Sequence, residues 1–172
     1  AIKVLSARIV HKTDVGGVAL GVASEEAVRA ACAAMRERLG DAVEGFLVQE
    51  MVPDGVEVIV GVTGDPVFGP LVGFGLGGTA VEVLQDIVFR ITPLTDVDAR
   101  DMVRAIRAFP LLEGYRGRPP ADIAAIEDLL LRVSWLVEEV PEIEEMDLNP
   151  VRVFAPGQGL LPVDVRVYVR AQ

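Results

Sequence analysis

Five consecutive residues near the C-terminus, Glu145-Met146-Asp147-Leu148-Asn149, alternate polar and apolar side chains. A strand puts Glu145, Asp147 and Asn149 on one face and Met146 and Leu148 on the other. Asp164 follows in LLPVDVRV, a lone carboxylate among apolar neighbours, where it is costly to bury without a partner. Oxygen ligands on adjacent strands suit Mg²⁺, which takes one or two protein carboxylates and completes its octahedron with water and phosphate. A solvated strand face accounts for the same alternation, and the two readings stand side by side at this point.

Three further stretches carry chemical potential. HKTDVGGV holds His11, the single histidine of the chain, in a segment ending in Gly16 and Gly17. One histidine builds no zinc site and no triad, yet an imidazole can act as a nucleophile toward phosphorus. Glycines beside it would let a mobile loop close over a polyphosphate. In QEMVPDGVEV, an exposed backbone at Glu50, Met51 and Val52 has the means to pair with a purine edge, and Glu57 to accept ribose hydroxyls. A plain hairpin turning at PDG is the simpler reading of that segment. Gly73-x-Gly75-x-x-Gly78 has the spacing of a dinucleotide fingerprint, but that motif must open a helix. TAVEVLQDIVF follows instead, rich in β-branched residues and without a cap, so these glycines read as turns or close backbone approaches.

The elements that must position these groups are legible in outline. Residues 24–39 carry helix signals: Ser24 to cap, Glu25 and Glu26 in the first turn, Arg36 and Arg38 in the last, and Gly40 beyond. Two more helices are expected, from Thr95 to about Phe109 with Asp98 completing a capping box, and over about 121–140 with Ile126, Leu130, Val133 and Val137 on one stripe. Strands are expected at AIKVLS, 45–52, 56–62, IEEMDLNPVRV and LLPVDVRVYV, with short strands and loops in the glycine-rich middle. Without strict βαβ alternation, the class is α+β with much antiparallel sheet.

Composition narrows the functions. The chain has 172 residues, 51% hydrophobic but only 5% aromatic, so its core must be aliphatic. A net charge of −10 and a pI near 4.6 leave no basic stripe for nucleic acid. No apolar run approaches a membrane span, AIKVLSARIV lacks a signal-peptide layout, and the single cysteine, Cys32, fits a reducing compartment, so the cytoplasm is expected. A chain opening in mid-strand reads as a piece of a longer protein.

Four segments in order, AIKVLSARIVHKTDVGGV, GDPVFGPLVGFGLGGTAVEVLQD, LLEGYRG and EEMDLNP, resemble the nucleotide-binding domain of the NDP-forming acyl-CoA synthetases. That group belongs to the ATP-grasp proteins and is related to the β subunit of succinyl-CoA synthetase. The resemblance implies an ATP-grasp fold of two α/β lobes with the nucleotide between them, residues 1–50 forming an N-terminally incomplete small lobe and 51–172 the large one. It implies that Lys3 contacts the nucleotide phosphates, with Gly16 and Gly17 in the phosphate loop. Glu50, Met51 and Val52 would then be the adenine hinge and Glu57 the ribose carboxylate. Asn149 and Asp164 would hold Mg²⁺, with Asp147 beside them, and His11 would relay a phosphoryl group. The implied reaction makes ATP from ADP, phosphate and an acyl-CoA, with a CoA-binding and phosphohistidine domain as partner. A regulatory nucleotide-binding domain in a protein lysine acetyltransferase is the alternative.

Overall fold

The computed structural model describes residues 1–9, 12–78 and 86–170, and the chain divides into two compact units, Ala1–Pro53 and Asp54–Gln172. Among the described residues, no helix is long and apolar enough to cross a membrane.

The first unit is a three-stranded antiparallel sheet with one helix. Strand β1 (Ile2–Leu5) lies between β2 (Val18–Ala19) and β3 (Gly45–Val48), with Lys3 opposite Val18 and Leu47. Helix α1 (Glu25–Leu39) starts where Ser24 accepts the Ala27 N–H, and it ends at Gly40, whose φ of 53° suits glycine. Ile2, Val4 and Met35 are buried as the core of this unit.

The second unit has a larger sheet with helices packed on one face. Strands β4 (Val56–Asp65), β5 (Gly69–Leu76), β6 (Ile87–Ile91) and β7 (Ile143–Val153) run in the order β6-β5-β4-β7. The outer edge of β7 is shared by β8 (Leu160–Pro162) and β9 (Val165–Val169), which pair with its two halves. Three helices follow β6: α2 (Asp96–Ala105), the single-turn α3 (Phe109–Leu112) and α4 (Ile123–Glu139). Register places Val58, Val60 and Val62 of β4 beside Leu76, Phe74 and Val72 of β5 and beside Val151, Leu148 and Met146 of β7. All but Leu76 are buried, and they close a core with Met102 and Val103 of α2 and Ile126, Leu130, Val133 and Val137 of α4. Each such side chain, fully buried, contributes roughly 1.5–3 kcal/mol. Aliphatic strands and two amphipathic helices thus supply the aromatic-poor core that the composition demanded.

The structure departs from sequence expectation at three places. The PDG segment is no hairpin: β3 ends at Val48 and pairs with β1, whereas β4 pairs with β5 and β7. The real hairpin turns at Asp65–Gly69, where Asp65 Oδ1 accepts the N–H groups of Val67 and Phe68 and Gly69 takes a φ of 79°. The helix expected to reach Phe109 stops at Ala105, and α3 begins separately. Asp86 accepts the N–H groups of Arg107 and Ala108 at 2.9 and 2.8 Å, satisfying donors that a continuous helix would have paired. LLPVDVRVYV is broken into β8 and β9, with Val163 and Asp164 between them. The capping box at Thr95 and Asp98 is present.

Asp122 ties several of these pieces together. Its side chain caps α4 through Ala125 N–H and also accepts Gly157 and Gly159 N–H at 2.8 and 2.9 Å, holding the PGQG turn after β7. The Gly159 bond leads the other N–H groups in holding this carboxyl below its ordinary value of 3.8, against the opposing push of burial. A depressed carboxyl stabilises the fold above its unfolded value and loses that contribution as pH falls through the folded one. Asp122→Ala is therefore expected to lower unfolding free energy at pH 7 by about 2–3 kcal/mol. In urea titrations the gap from the parent chain should close only below pH 3.8.

Candidate functional site

The face of the large sheet turned away from α2 and α4 carries the candidate residues of the second unit. Glu57, Ile59 and Gly61 occupy alternate positions of β4; opposite them stand Arg152 and Asp147 of β7 and Gly75 and Gly73 of β5. Gly73 leaves room for the Phe89 ring, which an added Cβ would meet at 2.7 Å, and Gly75 for the Asp86 carbonyl at 2.8 Å. The first two glycines of the apparent fingerprint are therefore strand residues permitting close approach. Residues 79–85, which follow Gly78, lie outside the described residues.

The alternation of β7 is reset inside the EEMDLNP segment. Val58 faces Val151 and Val60 faces Leu148, so Ile59 is matched by two residues, Asn149 and Pro150, in a β-bulge. The bulge lets Met146 and Leu148 before it and Val151 and Val153 after it share the core face. Asp147 then stands on the open face before the bulge and Arg152 after it. Across from the bulge lies the break in the next strand, where Asn149 N–H donates to the Asp164 carbonyl at 3.1 Å and Val163 N–H to the Pro150 carbonyl at 2.8 Å. Asp164 is half-buried at this break, rather than lying in a continuous buried strand as the sequence suggested.

Electrostatics marks the same spot. Burial pushes the Asp147 carboxyl above its ordinary value of 3.8; Arg166, its cross-strand neighbour, pulls it down, and the charge of Asp164 adds to the push. The Asp164 charge disfavours ionisation of Asp147, and the Asn149 backbone is tied to that of Asp164, so these three side chains are the candidate oxygen donors for a hard divalent cation. Among the described residues no group of three or more His, Cys, Asp or Glu side chains is arranged to hold a metal. Two carboxylates and an asparagine fit Mg²⁺, which retains waters, better than a metal caged wholly by protein.

Glu57 sits about 13 Å from Asp147 along the sheet, four residues at the ordinary rise per residue. Its Oε1 is 2.8 Å from an Arg152 guanidinium nitrogen, both side chains being about 30% exposed (32% and 28%). This pair borders a cavity of 510 Å³ lined by Leu76, Leu111, Tyr115, Arg116 and Arg118 among others. Arg116 has a φ of 49°, unusual for a residue with a side chain, and lies 5.2 Å from the Tyr115 ring centre. The sequence expectations include none of these arginines, which stand in no local pattern of carboxylates or glycines. The signal available was three arginines at LLEGYRGR and NPVR in a chain of net charge −10.

In the first unit, Lys3 is buried at the centre of β1, 9% exposed. Gly17 donates to the Lys12 carbonyl at 2.7 Å and accepts the Val4 N–H at 2.8 Å; an added Cβ would meet a Val4 methyl at 2.6 Å. Gly16 takes a φ of 67° and its carbonyl accepts from Arg38 at 3.3 Å. The glycine pair thus ties its segment to β1 and α1. Val10 and His11 lie outside the described residues. Glu50 and Met51 are exposed and Val52 half-buried, all beyond the end of β3.

A profile of the ATP-grasp domain matches residues 1–169. The chain belongs to the ATP-grasp family. It is 50% identical to acetate–CoA ligase (ADP-forming) I of Archaeoglobus fulgidus over 170 residues, which are 96% of this chain and 24% of that protein. It is 45% identical to the β subunit of acetate–CoA ligase (ADP-forming) II of Pyrococcus furiosus, covering 99% of this chain and 75% of the subunit. The chain therefore spans about a quarter of the first relative and three quarters of the second. Among solved structures, the dinucleotide forming acetyl-coenzyme A synthetase 1 of Ca. Korarchaeum cryptofilum superposes with a TM-score of 0.90 at 45% identity, over 98% of this chain and 75% of that one. Another structure of that enzyme, TM-score 0.83 at 44% identity over 99% of this chain and 76% of that one, is a complex with coenzyme A and Mg-AMPPCP, its phosphohistidine segment pointing towards the nucleotide binding site. The ATP-grasp fold of mixed α/β elements and antiparallel sheets expected from the four motifs is the fold observed.

Because the raised Asp147 carboxyl disfavours ionisation in the folded chain, its charge costs stability as pH rises through 3.8 toward the folded value. Asp147→Asn should therefore raise the metal-free melting temperature at pH 7 and have no such effect below pH 3.8. The same substitution should reduce the rise in melting temperature produced by Mg²⁺ and ADP.

Proposed function

We propose that this chain is the nucleotide-handling module of an NDP-forming acyl-CoA synthetase. The reaction of the whole protein converts acyl-CoA, ADP and phosphate to a carboxylic acid, CoA and ATP. One observation carries the reading most directly: Glu57 and the Asp147–Asn149–Asp164 group share an open sheet face about 13 Å apart. An extended nucleoside polyphosphate covers that span. The coverage of three quarters of a Pyrococcus acetate–CoA ligase β subunit supports the same assignment.

In this reading Glu57 accepts the ribose hydroxyls, and the backbone of Glu50, Met51 and Val52 pairs with the adenine edge. Asn149 and Asp164 would hold Mg²⁺, with Asp147 beside them, and the bound ion would supply positive charge against the phosphates. Lys3 contributes its ammonium to the phosphate groups, and Gly16 and Gly17 hold the loop of the phosphate site against β1. His11 accepts a phosphoryl group and passes it on. When ATP is made, a P–N bond to imidazole breaks, a P–O bond to the β-phosphate of ADP forms, and the freed imidazole nitrogen recovers its lone pair. Positioning and charge stabilisation are nearly all that protein groups offer such a transition state. The partner is a CoA-binding and phosphohistidine domain or subunit. The relatives named above are ligases and synthetases of CoA esters, which favours this reading over a regulatory domain of an acetyltransferase.

Calorimetry should find ADP binding strengthened by Mg²⁺ in the parent chain. Asp164→Ala and Asn149→Ala should each remove that dependence, and Asp98→Ala, in the capping box of α2, should leave it intact. Equal affinity with and without Mg²⁺ in the parent chain would overturn the metal assignment. In the complete synthetase, ATP and Mg²⁺ should place an acid-labile, base-stable phosphoryl group on His11. His11→Asn should abolish acyl-CoA-dependent ATP formation while leaving ADP binding within about twofold, a shift too small to represent a lost charge-assisted hydrogen bond. Near-normal turnover by that variant would reduce His11 to an orienting role.

A further inference from the structure

The Glu57 side chain is held from several directions, and the holding residue furthest from the carboxylate in sequence is Arg152. Gly77 N–H donates to the Glu57 carbonyl at 2.6 Å, and an added Cβ at Gly77 would lie 2.9 Å from Glu57 Cβ. The end of β5 therefore presses on Glu57 from one side. From the other, Arg152 spends both arms of its fork: one nitrogen is 2.8 Å from Glu57 Oε1, and the other donates to the Gly55 carbonyl at 3.3 Å. Gly55 is itself tucked against β7, where an added Cβ would meet the Val153 carbonyl at 2.6 Å. The guanidinium is anchored to backbone, and the carboxylate is anchored to the guanidinium. Only Oε2 is turned toward the small residue Gly78, whose absent Cβ would stand 3.4 Å from it.

We propose that Arg152 is a positioning residue that fixes the Glu57 carboxylate, with one oxygen engaged and the other presented, so that the site selects a ribose over a deoxyribose. The proposal rests on the reading of Glu57 as the sugar-binding carboxylate. A carboxylate accepts through four lone-pair positions; Arg152 occupies one of them on Oε1, and its second bond, to the Gly55 carbonyl, keeps the guanidinium from following that oxygen as it turns. A vicinal diol brings two donors at fixed separation, so it rewards a carboxylate whose plane is set in advance. A free glutamate would have to be ordered by each ligand in turn.

The test is titration calorimetry of the 172-residue chain with ADP, 2′-deoxyADP and 3′-deoxyADP at saturating Mg²⁺, with thermal unfolding of every variant. The parent chain should prefer ADP over at least one deoxy analogue by about tenfold or more, the scale of one hydrogen bond to a charged group. Glu57→Gln should cut that preference to about twofold, as expected once the acceptor is uncharged. Arg152→Met should cut it similarly, weakening ADP binding while barely changing the affinity for the analogue. Arg152→Lys, which keeps the charge but not the fork, should retain an intermediate preference, and serves if the methionine variant is unfolded. If Arg152→Met weakens ADP and the analogue equally, or alters neither, the positioning role is wrong while the sugar site stands. If Glu57→Gln leaves the preference unchanged, or the parent chain binds no ADP, the sugar-site reading itself fails and the proposal with it.

Discussion

The ladder between β4 and β7 takes in one residue more on the β7 side, at Asn149 and Pro150, and most of the candidate site follows from that surplus. A strict two-residue period would have driven Val151 and Val153 out of the core or Asp147 into it. The bulge avoids both, keeping the valines against the helices and the carboxylate on the open face. It also creates a local gap in pairing on the far edge of β7, which the break at Val163 and Asp164 matches with two backbone hydrogen bonds. One irregularity in a strand thus assembles Asp147, Asn149 and Asp164 from segments fifteen or more residues apart. Bulges beside active sites commonly re-aim side chains in this way.

Electrostatics in this chain is local. A net charge of −10 repels anions at a distance, and the groups that would override it are few and held in place by their surroundings. Lys3 sits in a buried strand centre, Arg152 in a fork on backbone and carboxylate, and Arg166 across from Asp147. The two carboxylates Asp147 and Asp164 are kept near each other at a cost, which the backbone bonds of the bulge and the break sustain.

Much of this was legible in the sequence where a local rule decides. The Ser24 cap, the Thr95–Asp98 capping box, the stripe Ile126–Leu130–Val133–Val137 and the alternation of Glu145 to Asn149 are all short-range patterns, and each is realised. The reading failed where pairing over long range decides. PDG has the composition of a hairpin turn, but β1 and β7 compete for its two flanking strands and pull them into different sheets. LLPVDVRVYV is apolar enough to run as one strand, but it breaks after Pro162, opposite the bulge in β7. Arg152 was invisible for the same reason: its meaning comes from register with Glu57, 95 positions away, and not from its neighbours in sequence.

Beyond β9 no further strand lies among the described residues, and its sequence VRVYV leaves Val165, Val167 and Val169 substantially exposed. A run of β-branched residues on an open edge is a template for another chain, the configuration from which fibrils and swapped dimers begin. Here the edge carries Arg166 within the strand and Arg170 just after it, the latter pinned by Glu144 at 2.9 Å. A second molecule approaching this edge in the antiparallel sense would bring like charges together. The arginines therefore act as gatekeepers of solubility, and replacing either by a neutral residue would tax the handling of the protein more than its fold.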